Sequence, residues 1–275
     1  MTFSEMINVN AVAYHNEKTT KMMQKSPLEK PYFIQIAANN IENAVKAVEI
    51  INETDWIDGI DINLGCPVNK ARRSGFGGVL LKDENRNFLK ELVNTIVKTS
   101  KKPVSAKMRI GFDKSVVEDR AKLLEDLGIT FLTIHGRYVK QMYKGNANYD
   151  EIKKGVKAVN IPVIANGDIT DYEKAKFVLD YTEAAGVSIG RGAVGKPWIF
   201  LEMKQKGSIT PEQKKEVILE HFNQMIYWYG EYGVILFRKH AHAYSKGIAK
   251  ASEFRSKMNS VKDPDTAREL IEEYF

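Results

Sequence analysis

Cys66 is the one cysteine of this 275-residue chain, and it lies in the segment DINLGCPVNKARRSGFGG, residues 61–78. A lone thiol cannot form an intrachain disulfide. Most lone cysteines are buried and behave as small hydrophobic residues. A thiol directly after an apolar strand can instead act as a nucleophile or a proton donor. The chain has no Cys/His group with metal-ligand spacing, so we predict no metal site.

Other polar residues stand at the ends of apolar runs. Lys107 and Arg109 alternate along one run and therefore point to the same side. Two inward cations favour a bound anion or electron-rich acceptors, and the alternative is solvated charge at the start of a loop. The further polar residues at run ends are Asn63, His135, Asn166 and Arg191, and Gln35 lies inside its own run.

Two late glycine motifs, ANGD (165–168) and GRGA (190–193), occupy the ends of consecutive runs. Glycine lets backbone N–H groups approach a phosphate, and Arg191 adds a cation that can contact it through two N–H groups. We therefore predict a phosphorylated cofactor or substrate, with two ordinary tight turns as the alternative. The loop SGFGG (74–78) matches no nucleotide-binding motif and is left open between a flexible connector and a functional loop.

These motifs need elements that bring them together, and short apolar runs alternating with amphipathic stretches provide them. This rhythm predicts an α/β fold with a parallel sheet. We expect the strand centres to be apolar on both sides of the pleat. Functional-looking groups on successive strands favour a (β/α)8 TIM-type barrel over a doubly wound sheet. The predicted strands are 32–38, 59–65, 103–111, 131–136, 162–168 and 185–193, with a further one at 2–6.

The last part of the chain reads as helical, which divides the protein into a barrel domain (1–205) and a small all-α domain (206–275). Thr210–Pro211 and Asp263–Pro264 have the pattern of helix N-termini. Basic residues recur at helical spacing within 236–257, with aromatic residues between them. This favours a nucleic-acid surface, with a solvated face as the alternative. The basic positions are Arg238, His242, Lys246 and Lys250, and the aromatic ones are Phe237, Tyr244 and Phe254.

The overall composition is that of an ordinary globular protein, with 43% hydrophobic residues, a formal net charge of +6 and a pI of about 9.1. This charge is a mild indication of a polyanionic partner. No secretory signal and no membrane span are visible, so we expect a cytoplasmic protein without membrane association. A monomer is the favoured state.

Taken together, these motifs resemble the tRNA-dihydrouridine synthase family. The resemblance implies an FMN-binding (β/α)8 barrel followed by a helical domain. It also implies reduction of uridine to 5,6-dihydrouridine in tRNA, with NADPH as the reductant. The matching segments are NLGCP (63–67), KMRIGFD (107–113), TIHGR (133–137), IANGDI (164–169), IGRGA (189–193) and FRKHAHAYSKG (237–247).

The resemblance assigns a role to each matching residue. Cys66 would protonate C5 of uracil while hydride from the reduced flavin goes to C6, and the target base would be extruded from the RNA helix. The implied flavin-binding residues are Gln35, Lys107, His135, Asn166, Gly167, Asp168, Gly190 and Arg191. The implied substrate-binding residues are Asn63, Arg109, Arg137, Arg238, Lys239 and His240, with the KARR stretch (70–73) on the RNA backbone.

One family element has no match here, the first strand with its APMAGVTD-like loop, which lines the flavin. The strand count agrees, so we expect a barrel that lacks its first strand. Two other functions stay open. One is a small-molecule flavin oxidoreductase of the dihydropyrimidine or dihydroorotate type, which the basic helical tail disfavours. The other is a catalytically impaired RNA-binding fragment, which the unmatched element favours.

Overall fold

The computed structural model describes residues 1–275, in which short strands alternate with helices. The predicted strands between residues 32 and 193 are all confirmed, each within a few residues of its expected position. The strands are β1 (Thr2–Phe3), β2 (Ile7–Asn8), β3 (Tyr32–Ala37), β4 (Gly59–Leu64), β5 (Val104–Gly111), β6 (Leu132–Tyr138), β7 (Val163–Asn166) and β8 (Gly186–Ser188).

Helices follow most strands and fill the end of the chain, and Asn and Thr residues cap several of them. Asn40 accepts the N–H of Asn43 at 2.8 Å to start α3. Thr210 and Gln213 form a capping box at the start of α10. The helices are α1 (Val9–Ala13), α2 (Glu17–Met23), α3 (Ile41–Asn52), α4 (Asn69–Arg73), α5 (Arg86–Thr99), α6 (Val117–Asp126), α7 (Tyr149–Ala158), α8 (Tyr172–Thr182), α9 (Ile199–Gln205), α10 (Pro211–Tyr229), α11 (Tyr232–Tyr244), α12 (Ala251–Ser260) and α13 (Pro264–Tyr274).

All strand pairings are parallel, which confirms the predicted α/β class with barrel-type βα order and C-terminal helices. The predicted strand at 2–6 is present as two short pieces, β1 and β2, which pair with different parts of β3. The strand order then runs β3-β4-β5-β6-β7-β8 as a path with two ends.

The two faces of this sheet differ, which corrects the expectation that both would be apolar. Register partners in a parallel sheet share a face. Ile134 belongs to the apolar face, which packs on helices: a Cβ built on Gly155 of α7 would lie 2.5 Å from its Cδ1. We call the opposite side the polar face, and it carries Gln35, Asp61, Asn63, Ser105, Lys107, Arg109, Thr133, His135, Asn166 and Ser188.

Aromatic rings occupy the amino-terminal end of the polar face. The Phe33 ring lies 5.8 Å from that of Phe3 and 5.5 Å from that of Phe131. A side chain at Gly59 would overlap the Phe33 ring, with Cβ only 2.2 Å from its nearest atom. Apolar packing therefore ends below Gln35, and the polar groups lie beyond this layer of rings, toward the carboxyl ends of the strands.

The chain forms two compact units, residues 1–167 with 177–188 and residues 168–176 with 189–275. The second unit has its own core, built from Phe222, Phe237, Phe254 and other buried residues of α9–α13. Residues 189–205 group with these helices, and the division at residue 205 stays a prediction. No helix of the chain combines the length and apolar character that crossing a bilayer requires.

Candidate active site

Cys66 sits in a turn that the side chain of Asn63 holds at the carboxyl end of β4. Oδ1 of Asn63 accepts the backbone N–H of Gly65 at 3.2 Å and that of Cys66 at 2.9 Å. This pattern is an Asx turn, in which the side-chain oxygen of Asn accepts a backbone N–H two residues further on, as a backbone carbonyl would in a turn. The Cys66 side chain is half-buried and packs against Ala37, Ala71 and Phe76. Sequence reasoning assigned Asn63 to the substrate, and the geometry adds a second role for it.

The glycine-rich loop after Cys66 packs directly against the cysteine. Gly77 has a φ of +71°, and a Cβ on it would lie 2.9 Å from the Cβ of Cys66. The N–H of Gly78 donates to the carbonyl of Cys66 at 3.1 Å. Gly77 needs to be glycine because its φ is positive and a side chain there would displace the cysteine, whereas a Cβ on Gly78 would lie 2.4 Å from Cγ2 of Val139. The loop therefore packs against Cys66 and donates one hydrogen bond to its carbonyl, and a functional role for the loop stays a prediction.

Arg109 supports the same turn from β5. Its Nε donates to the carbonyl of Gly65 at 3.0 Å, and Nη1 donates to the carbonyls of Tyr138 and Met142 at 2.8 and 2.6 Å. The side chain is 2% exposed. The inward cation therefore meets backbone carbonyls, one of the environments predicted for it. Its assignment to the substrate stays a prediction.

A buried hydrogen-bonded chain leads from β5 to Asn63. Ser105 Oγ donates to Asp61 Oδ1 at 2.7 Å, and Gln35 Nε2 donates to Asp61 Oδ2 at 2.7 Å. Asn63 Nδ2 then donates to Gln35 Oε1 at 2.7 Å. Burial raises the pKa of Asp61 to about 6, against the opposing effect of its two donors and of Lys107. Sequence reasoning missed Asp61, although its spacing of two from Asn63 put both on one face.

Lys107 and Asn166 form the centre of the polar face. Lys107 Nζ donates to Asn166 Oδ1 at 3.0 Å, and Asn166 Nδ2 donates to the Ser188 carbonyl at 2.7 Å. Desolvation lowers the pKa of Lys107 to about 8, with Asp61 opposing this change and Arg109 adding to it. The structure therefore brings two of the predicted flavin ligands into contact, and Asn63 is the register partner of Lys107 on β4.

His135 lies between Arg137 and Gly167. Arg137 Nη1 is 3.2 Å from His135 Nε2, and Arg137 Nη2 donates to the Gly145 carbonyl at 2.6 Å. A guanidinium has only donors, so Nε2 of His135 must accept in this contact. Gly167 has a φ of +125°, and a Cβ on it would lie 3.0 Å from Cδ2 of His135. These three predicted site residues are neighbours, and Arg137 is buried rather than presented to solvent.

The remaining predicted flavin ligands belong to the second unit. Arg191 Nη2 lies 3.6 Å from Asp168 Oδ1, and the Arg191 side chain is 59% exposed. A Cβ on Gly190 would meet no atom within 4 Å. Arg191 begins a short 3₁₀ helix, Arg191–Ala193, three residues after the end of β8 in the chain.

The predicted basic stripe of the tail is wrong in its helical geometry, because α11 ends at Tyr244 and leaves Lys246 and Lys250 outside it. Arg238 Nη2 donates to the Val261 carbonyl at 2.8 Å. The His240 ring lies 4.6 Å from that of His221. Burial lowers the pKa of both histidines, that of His221 to about 4. Of the three tail residues assigned to the substrate, only Lys239 is exposed.

The aromatic residues predicted for a nucleic-acid surface are also placed differently. Phe237, Tyr244 and Phe254 belong to the core of the second unit. Exposed aromatic residues of the second unit include Tyr227 (77%) and Trp228 (69%) in the last turn of α10. In the first unit, the cations of the KARR stretch are exposed, and their contact with RNA stays a prediction. They are Lys70, Arg72 and Arg73 of α4.

This fold and site define a parallel α/β protein in which one thiol, several side-chain amides and a half-buried lysine lie near the carboxyl ends of the strands. The dihydrouridine synthase (Dus) family model matches residues 1–275. A probable tRNA-dihydrouridine synthase of Helicobacter pylori is 41% identical over 278 residues, covering 100% of this chain and 84% of that protein. tRNA-dihydrouridine synthase B of Pasteurella multocida is 39% identical over 285 residues, covering 100% and 85%. The chain belongs to the dihydrouridine synthase family.

Solved structures with low sequence identity share the fold. A ligand-free DHODH from Eimeria tenella matches with a TM-score of 0.50 at 14% identity, over 72% of this chain and 65% of that chain. This likeness supports the α/β barrel-type architecture and says nothing further about the reaction.

Proposed function

We propose that this chain reduces uridine to 5,6-dihydrouridine in tRNA, with FMN as its cofactor and NADPH as the reductant. Membership of the dihydrouridine synthase family supports the reaction class. The observation that carries the residue assignment is the turn around Cys66. Its N–H is held 2.9 Å from Asn63 Oδ1, at the end of a strand whose neighbour carries Lys107.

The reaction saturates the C5–C6 bond of uracil, so C6 must gain a hydrogen with its electron pair and C5 must gain a proton. Bound FMN in its reduced form would supply the hydrogen and its electron pair to C6. Cys66 would supply the proton from Sγ, become a thiolate and take up a proton from solvent for the next turnover. Two glycines and Asn63 hold the backbone of this acid, which keeps the thiol in one place relative to the base.

The polar face suits a flavin ring. Lys107 has three ammonium donors, one of which is given to Asn166. The other donors and the charge would suit the electron-rich edge of the isoalloxazine and stabilise its anionic reduced form. Gln35, His135 and Asn166 would complete the contacts to the ring. Gly167, Asp168, Gly190 and Arg191 would hold the ribityl chain and phosphate.

tRNA is the proposed macromolecular substrate. A stacked uracil cannot reach Cys66, so the base would be extruded into the site. Lys70, Arg72 and Arg73 follow Cys66 within one short helix and are exposed, which suits contact with RNA phosphates. Lys239 offers a similar cation in the second unit. We assign Arg109 and Arg137 to shaping the loops that border the base, since both donate to backbone carbonyls.

A reconstituted assay tests this proposal. The purified chain is loaded with FMN and incubated with NADPH and tRNA transcribed without modifications. Nucleoside mass spectrometry should then detect dihydrouridine, and Cys66→Ala should form very little of it. Binding of tRNA without dihydrouridine formation would contradict the proposal and favour an RNA-binding protein. Reduction of free dihydropyrimidine precursors, with tRNA left unchanged, would favour a small-molecule oxidoreductase.

A further inference from the structure

We propose that Asp61 is a positioning residue for Cys66: its carboxylate sets the orientation of the side-chain amides of Gln35 and Asn63, and thereby holds the cysteine turn. The proposal deepens the assignment of Cys66 as the proton donor and rests on it for its catalytic consequence. Asp61 itself lies three hydrogen bonds away from the Cys66 backbone. Neither the family resemblance nor the motifs singled it out.

The Asp61 carboxylate fixes the direction of each hydrogen bond in this chain. An ionised carboxylate only accepts, so Gln35 must turn its Nε2 toward Asp61, as observed at 2.7 Å. Its Oε1 then faces Asn63 and requires a donor there. Asn63 must present Nδ2 to Gln35, which leaves Oδ1 to accept the N–H groups of Gly65 and Cys66.

The reverse orientation would release the turn. If Gln35 rotated its amide by half a turn, Asn63 would have to rotate as well to keep their mutual bond. Nδ2 of Asn63 would then face the N–H of Cys66, placing donor against donor. A carboxylate at residue 61 excludes this arrangement, because two acceptor oxygens, Gln35 Oε1 and Asp61 Oδ2, would then face each other with no hydrogen between them. A neutral amide at residue 61 would permit both orientations.

Burial makes this directional control effective. Asp61 and Ser105 are 0% exposed, Asn63 is 8% exposed, and Gln35 is half-buried. A misoriented Asn63 amide would leave buried polar groups unpaired, which costs far more than it would in water. Ser105 fixes the other carboxylate oxygen at 2.7 Å, so Asp61 itself has one position. The carboxylate is the only member of the chain between β5 and Cys66 that cannot donate when ionised.

Amide hydrogen exchange tests the inference without any cofactor. Exchange at Cys66 is measured in the full-length protein for wild type, Asp61→Asn, Asn63→Ala and the double variant. We expect Asp61→Asn to accelerate exchange at Cys66 about tenfold, the order expected for the loss of one hydrogen bond. In the Asn63→Ala background, Asp61→Asn should add little, because its effect passes through Asn63.

A nearby carboxylate provides the matched control. Asp58 accepts the N–H of Tyr32 at 2.7 Å but is not part of the chain to Cys66. Asp58→Asn should leave exchange at Cys66 unchanged. Gln35→Met, which interrupts the chain without altering Asp61, should match Asp61→Asn and serves if the latter does not fold. Unchanged exchange at Cys66 in the folded variants would overturn the inference.

Catalysis is measured separately. Single-turnover reduction of tRNA uridine by Asp61→Asn should fall about tenfold while the tRNA Kd stays the same. Loss of turnover in Cys66→Ala together with a normal rate in Asp61→Asn would reject the positioning role and keep the proposed function. Normal turnover in Cys66→Ala would reject Cys66 as the proton donor and keep the reaction itself, whereas no dihydrouridine from the wild type would reject the proposed function. In either case the exchange result would still decide whether Asp61 holds the turn.

Discussion

The polar face of the sheet and the helices of the second unit both showed sequence patterns typical of a functional site. The fold brings the residues of the first pattern together on one face, whereas it separates those of the second. On the sheet, residues 28 and 59 positions apart meet, as in the pairs Gln35–Asn63 and Lys107–Asn166. In the helices, the aromatic residues expected at a surface form the core. Side chains alternate between the two faces of every strand, so the register of a parallel sheet places alternate residues of all its strands on one face. The exposed face of each helix depends instead on what packs against it.

The largest effect is expected for the replacement of Cys66. We expect Cys66→Ala to lower single-turnover reduction of tRNA uridine by about 10²- to 10⁴-fold, the range for loss of a general acid. Thermal unfolding should change little, because the side chain is half-buried. Val68→Ala, at an exposed position two residues on, is the control and should retain full activity. Comparable activity in both variants would show that the polar face does not act through this thiol.

A second large effect is expected for Phe237, which was predicted at a nucleic-acid surface but lies in the core of the second unit. Phe237 is 0% exposed, so Phe237→Ala should destabilise the second unit by about 3 to 5 kcal/mol. Tyr232→Ala, on the same helix at an exposed position, should change the free energy of unfolding by less than about 0.5 kcal/mol. Urea denaturation followed by circular dichroism compares the two. Equal effects would argue that Phe237 is not part of the core.

The pH dependence of stability tests the cost of the buried carboxylate. Burial raises the pKa of Asp61 from 3.8 to about 6, so the folded state holds the proton more tightly than the unfolded chain. The stability contributed by Asp61 therefore falls as pH rises from about 4 to about 6 and stays constant above this range. The difference corresponds to about 3 kcal/mol.

Asp61→Asn removes this titration, so its stability relative to wild type should increase across the same pH interval. Lys107 faces Asp61 from β5, and its lowered pKa of about 8 adds an opposite trend only above neutrality. Urea denaturation between pH 4 and pH 7 separates the two groups. A variant that is more stable but less active at pH 7 would show that the charge serves the site at the expense of stability.

The smallest effects are expected for single RNA contacts. Removing one cation that contacts a phosphate should reduce the slope of log K against log salt by about one. We expect this for Arg72→Ala and Lys239→Ala, whose side chains are exposed. Lys46→Ala on α3, exposed and paired with Glu42, is the matched control and should leave the slope unchanged. A change for Lys46 equal to that for Arg72 would indicate non-specific attraction.

The sequence by itself was enough to predict the order of strands and helices, the parallel class and the position of Cys66 after β4. Apolar runs of β-branched residues and helix-capping Thr and Asp residues are local signals, so they can be recognised without the fold. The glycines at residues 77 and 78 were visible as well, but not what they approach. Their contact with Cys66 depends on a close approach of two loops that only the folded chain shows.

The partners of the polar groups were decided by tertiary structure alone. Lys107 and Arg109 look alike in sequence, yet Arg109 donates to three backbone carbonyls while Lys107 donates to one side-chain amide oxygen. Asp61 likewise gains its role from Ser105, Gln35 and Asn63, which come from three strands. Hydrogen bonds act over about 3 Å, so their direction and pairing emerge only when the register of neighbouring strands brings distant segments within that range.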